Sequence, residues 1–103
     1  VNGRHGTTPI LNASKLAAQM NTTVEPNAYG PLFGIVHAHI DCGISNIDWF
    51  ENAPPPNGAQ MGEEIGLLNP IRPESGWVTP PSGPGWGSEW DWDLFKKKRV
   101  AVL

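Results

Sequence analysis

From Asn52 onward the chain is broken so often by proline and glycine that no long helix or strand fits. Pro54-Pro55-Pro56-Asn57-Gly58 opens this stretch, and Gly76-Trp77-Val78-Thr79-Pro80-Pro81-Ser82-Gly83-Pro84-Gly85-Trp86-Gly87 closes it. With 11 Pro and 12 Gly among 103 residues, regular structure must be concentrated before this point, and the core that the chain can build alone is thin. Irregular chain is expected to continue to Asp91. There Asp91-Trp92-Asp93-Leu94-Phe95-Lys96-Lys97-Lys98-Arg99 predicts a last short helix whose acids and bases complement its dipole. Two parts follow: 1–53, carrying helices and strands, and 54–103, a covering segment.

In the first part, Thr7-Thr8-Pro9 reads as a helix entrance, with Thr8 as N-cap and Pro9 at the first helical position. Ile10, Leu11, Ala13, Leu16, Ala17 and Met20 recur at three- and four-residue spacing, which predicts an apolar stripe ending near Asn21. Asn12, Ser14, Lys15 and Gln19 mark the wet side. Thr22-Thr23-Val24-Glu25-Pro26 reads as a short β-branched strand, left by the loop Asn27-Ala28-Tyr29-Gly30. The pattern then repeats. Pro31 opens a second helix lined by Leu32, Phe33, Ile35, Val36, Ile40 and Ile44, and Ile47-Asp48-Trp49-Phe50-Glu51 reads as a second strand. Two successive helix-strand units predict an α/β fold with a parallel sheet.

Charge excludes some partners. A formal net charge of -3 from 7 basic and 10 acidic residues gives no nucleic-acid footprint. No apolar run reaches the ~18–20 residues that span a bilayer, no signal-peptide pattern is visible, and a cytoplasmic setting is the expectation. Cys42, the single cysteine, lies in an apolar helical run and reads as a buried structural thiol. His37 and His39 sit about 200° apart on a helix, too far round it to share a metal, and read as packing or surface histidines.

One family matches the order of these pieces: a strand ending in Glu25-Pro26-Asn27, a helix, a strand ending in Trp49-Phe50-Glu51, and a Gly-x-Val-x-x-Pro-x-x-Pro-Gly-x-Gly tail from Gly76 to Gly87. The sequence resembles the C-terminal end of an enolase-superfamily enzyme of the mandelate racemase and muconate lactonizing type. The resemblance implies the C-terminal portion of a modified (β/α) TIM-like barrel, formed by residues 1–53, with the 54–103 tail returning to an α+β capping domain. It also implies that the remainder of the same enzyme is a necessary partner, that the intact enzyme is a homo-oligomer, and that a small hydroxy-acid is the substrate. In that family Mg²⁺ holds a substrate carboxylate while a base removes the neighbouring carbon-bound proton to give an enediolate. The metal carboxylates and the lysine bases would lie before Val1, so no metal ligand is assigned within this chain.

Glu51 corresponds to a family glutamate that hydrogen-bonds the enediolate, which requires it to be protonated in a desolvated site. Asn27 stands where the family places a histidine base. An amide accepts no proton at neutral pH and is left with orienting or hydrogen-bonding the substrate. Arg4 and His5, in the loop after the sixth barrel strand, and Tyr29, two residues past Asn27, are the substrate-binding candidates. Arg4 is suited to a carboxylate or hydroxyl through its bidentate donors. With one opposed base missing, elimination of water from an acid sugar by a lyase is favoured over two-base racemisation. The alternatives are a racemase, epimerase or cycloisomerase of the same superfamily, a catalytically inactive relative, or a free-standing carbohydrate-binding module built on Trp77, Trp86, Trp90 and Trp92.

Overall fold

The computed structural model describes residues 6–27, 30–52, 56 and 58–101. Four helices follow one another: α1 (Thr7–Gln19), α2 (Pro31–Gly43), α3 (Gly58–Glu64) and α4 (Trp92–Lys98). Helix α1 starts two residues ahead of the expected cap. Gly6, at φ 89°, is the N-cap, and no side chain caps the helix, so Thr8 and Pro9 lie inside the first turn. Helix α2 begins as predicted, with Pro31 at the first position after Gly30.

The buried face of α1 is narrower than its sequence implies. Ile10, Ser14 and Ala17 are buried, at i, i+4 and i+7, whereas Leu16 and Met20 are 60% and 71% exposed. Ser14, expected on the wet side, faces inward because a distant partner satisfies it. Its hydroxyl donates to Asn46 Oδ1 at 2.6 Å, and Asn46 Nδ2 donates back to the Ser14 carbonyl at 3.0 Å and to the Thr22 carbonyl at 3.2 Å. On α2 the buried residues are Gly34, Ile35, His37, Ala38 and Ile40, while Leu32 and Phe33 stay exposed. Cys42 is exposed rather than buried: it falls in the last turn, past Ile40, and borders an open cleft.

The two predicted strands run extended but form no sheet among the described residues. Val24 N–H donates to the Asn46 carbonyl at 3.0 Å, and the next link, Trp49 N–H at 3.0 Å, goes to the Glu25 carboxylate instead of a backbone oxygen. A ladder needs successive backbone pairs, and two short parallel segments are too few to hold one. The parallel sheet of the expected α/β unit is therefore present only as a parallel course of 22–26 beside 46–50.

Within the expected irregular part, α3 is a helix that the sequence hides. It has seven residues, two of them glycine, and no apolar periodicity. Its glycines serve close approach. A Cβ on Gly62 would lie 2.8 Å from Leu67 Cδ2 and 3.1 Å from Pro31 Cβ, where α3 packs on the start of α2. Gly62→Ala gains about 1 kcal/mol of helix propensity and loses about 1–3 kcal/mol to overpacking. A net destabilisation of about 1 kcal/mol is expected by urea titration.

The tail is held by short-range pairing. Leu68 N–H donates to the Glu89 carbonyl at 2.8 Å and Asp91 N–H to the Gly66 carbonyl at 2.7 Å, around the antiparallel bridge of Leu67 and Trp90. Asn69 adds a side-chain clamp, donating to the Gly87 carbonyl and accepting from Glu89 N–H, each at 2.8 Å. Helix α4 forms as expected, and Asp91 caps it, its carboxylate accepting from Asp93 and Leu94 N–H. Trp90, Trp92 and Phe95 gather with ring centroids 5.5–6.1 Å apart. Edge-on angles of 76° and 78° to Phe95 turn these rings into one another, which is packing rather than a flat sugar platform.

Candidate functional site

The site is built at one end of the paired extended segments. Val24 is joined to Asn46 and Glu25 to Trp49, so both segments advance in the same direction. Asn27 follows Glu25 by two residues and Glu51 follows Trp49 by two, so each lies just past the bonded part of its segment. Asn27 is half-buried and Glu51 is exposed. Arg4, His5 and Tyr29 lie outside the described residues.

Two titratable groups that the sequence did not single out as functional lie on α2. His37 is fully buried, its ring stacks with Phe33 at 6.1 Å, and neither ring nitrogen has a hydrogen-bond partner among the described residues. Burial lowers its pKa from 6.5, and the negative charge of Glu51 opposes that effect. One turn later, Asp41 holds both carboxylate oxygens out of solvent, again without a partner among the described residues. Burial first, and the charge of Glu25 second, push the Asp41 carboxyl from 3.8 up to about 7. The i, i+4 spacing of a histidine and an aspartate was the visible signal, hidden in a run that otherwise reads as apolar.

The raised carboxyl has a pH consequence. Between about 4 and 7 the folded chain keeps a proton on Asp41 that the unfolded chain has lost, so this group's contribution to stability falls as pH rises through that window. Asp41→Asn, which removes the ionisation and keeps the shape, is expected to stabilise the fold more at pH 8 than at pH 4. Urea midpoints of the two proteins at both pH values check this, and an equal effect at both would contradict it.

His39 plays a separate part. Its Nε2 lies 3.1 Å from the Trp86 carbonyl and its ring 5.5 Å from the Trp86 ring, tying α2 to the glycine-rich tail. His39 is therefore a packing residue, and so is His37.

The profile of the enolase C-terminal domain-like family matches residues 3–94. The chain belongs to that family. The match runs through both extended segments, all of α1 to α3 and the Gly76–Gly87 tail, and the enolase C-terminal domain-like fold is α/β. No curated protein and no solved structure matches the chain. Enolase-superfamily proteins are in general metal-dependent enzymes that use Mg²⁺, yet the described residues contain no group of three or more His, Cys, Asp or Glu able to hold a metal ion. No described helix is long and apolar enough to cross a membrane.

Proposed function

We propose that the chain is part of an acid-sugar dehydratase of the enolase superfamily, completed by barrel strands and a capping domain that it does not itself provide. The observation that carries this reading is the family match over residues 3–94, which spans Asn27 and Glu51, each two residues past a bonded position of its extended segment, in a family whose catalytic groups sit at strand ends. Metal binding is assigned to residues other than those described, and the roles below are those of this chain alone.

In this reading Glu51 donates a hydrogen bond to the oxygen on which negative charge develops when the proton next to the substrate carboxylate leaves. Exposed in isolation, it needs a neighbouring wall to exclude water. Asn27 holds a substrate hydroxyl or carboxylate oxygen through its amide and takes no proton, so the base belongs to another strand. Departure of the β-hydroxyl as water then yields an enol that tautomerises to a 2-keto-3-deoxy acid. Arg4, His5 and Tyr29 are assigned to substrate binding on the same reading, and a homo-oligomeric cytoplasmic enzyme is the setting.

The test is turnover of an acid-sugar panel by the natively purified protein with Mg²⁺, read as 2-keto-3-deoxy acid formed. Product from one or more acid sugars supports the dehydratase. Absence of turnover, with Asn27→His restoring none, would point to an inactive relative.

A further inference from the structure

The first extended segment carries a proline where its next backbone donor would stand. In a parallel ladder the donors of one strand recur at every second residue, so after Val24, whose N–H reaches the Asn46 carbonyl at 3.0 Å, the next donor position is 26. Pro26 occupies it, has no N–H, and is fully buried. The residue before a proline is held extended, which keeps Glu25 in the course of the segment.

Glu25 supplies a link with its side chain instead. Its Oε2 accepts from Trp49 N–H at 3.0 Å, and the residue is half-buried. A carboxylate that accepts a backbone N–H makes a charge-assisted bond, stronger than the neutral rung it stands in for. The bonded amide lies two residues before Glu51 and directly before Phe50, whose Cζ sits 3.9 Å from the place a Cβ on Gly34 of α2 would take. The chain leading into Glu51 is thus held at Phe50 by α2 and at Trp49 by Glu25. We propose that Glu25 is a positioning residue for the reaction, holding through the Trp49 amide the chain that carries Glu51. The inference rests on the dehydratase reading and on the part of Glu51 in it, and it adds a residue that acts without touching substrate.

The charge of Glu25 also reaches Asp41, whose carboxyl it helps to raise, so reach and charge must be separated. Glu25→Gln keeps an acceptor oxygen at the same distance and drops the charge. Glu25→Asp keeps the charge and withdraws the oxygen by one methylene. Positioning through the Trp49 amide requires that glutamine serves and aspartate does not, whereas an effect carried by the charge on Asp41 requires the reverse.

The experiment is steady-state kinetics of the natively purified enzyme with Mg²⁺ and an acid sugar that it turns over, alongside amide hydrogen exchange of the peptide covering Trp49, read by mass spectrometry. Glu25→Ala and Glu25→Asp are each expected to lower kcat about 10–10²-fold with KM changed less than about 3-fold, and to speed exchange at Trp49 about 10-fold. Glu25→Gln should stay within about 3-fold of the parent in all three quantities. In a Glu51→Ala background, Glu25→Ala should lower kcat by less than about 3-fold, because it acts through the residue already removed. Parental kcat in Glu25→Ala, a Glu25→Gln enzyme as slow as Glu25→Ala, or an undiminished loss in the Glu51→Ala background overturns the proposal. Should Glu25→Ala fail to fold, Glu25→Asp takes its place in each comparison. A parent that turns over no acid sugar removes the dehydratase reading, and exchange then decides for Glu25 by itself: protection at Trp49 lost in Glu25→Ala and kept in Glu25→Gln leaves its hold on the segment standing, and unchanged exchange overturns it.

Discussion

Replacing Asn46 with alanine is expected to destabilise the fold by about 2–4 kcal/mol. The Asn46 side chain takes the Ser14 hydroxyl at 2.6 Å and gives its two amide protons to the Ser14 and Thr22 carbonyls at 3.0 and 3.2 Å. Each such bond contributes about 0.5–1.5 kcal/mol net, and the loss is largest at Ser14, whose hydroxyl is buried at 5% exposure and would be left without a partner. Asn46→Asp keeps the acceptor for Ser14 but sets a carboxylate against two carbonyl oxygens, so it should rescue little. Ser14→Ala alone removes the stranded donor and should cost about 1 kcal/mol. Urea denaturation of the two single variants and the double variant would show strong non-additivity, because both changes act on one network. Additive effects would mean that the network does not hold α1 to the turn before the second extended segment.

The second large effect concerns chemistry. Glu51→Ala in the active enzyme is expected to lower kcat about 10²–10³-fold, the range for removal of one hydrogen-bond donor aimed at developing negative charge. KM should change little, since the interaction is made chiefly in the transition state. Glu51→Gln retains an N–H donor and should keep more of the activity than the alanine variant. A steady-state profile in which both variants match the parent would remove Glu51 from the catalytic machinery. A rise in KM at constant kcat would make it a substrate-binding residue instead.

How much of this was legible in the sequence differs from element to element. The start of α2 was, because Pro31 has a φ suited to the first helical position and lacks the N–H that a helix start leaves unpaired. Helix α4 was too, because its acids and its basic last turn lie within nine residues of sequence, Asp91 to Arg99. The inward turn of Ser14 was not, since its partner lies 32 residues away and hydropathy alone places serine in water. Nor was α3, whose helix rests on the fit of Gly62 against Pro31 and Leu67 rather than on any local pattern. The extended segments were read correctly as extended, and among the described residues they form no sheet. Extension is local, set by Thr22, Thr23 and Val24, whereas a sheet depends on neighbouring strands.

The candidate site divides in the same way. Asn27 and Glu51 are candidates through their place at the ends of predicted strands, two residues past Glu25 and Trp49, which are joined through the Glu25 carboxylate. Asp41 escaped notice because a single acid inside an apolar helix reads as a solvated residue, and only the packing around it takes its oxygens out of water. Exposed Leu16, Met20, Leu32 and Phe33 on the two long helices agree with an α/β domain whose layers are completed by further structure.

The central claim is tested most directly by running the natively purified protein, with Mg²⁺ and an acid sugar that it turns over, in deuterium oxide and following substrate and product by NMR. Elimination of water followed by tautomerisation predicts a 2-keto-3-deoxy acid carrying one solvent deuterium at carbon 3, and recovered substrate whose configuration at carbon 2 is unchanged. Epimerised substrate with deuterium at carbon 2 and no keto acid would contradict the dehydratase account and establish a racemase or epimerase in its place.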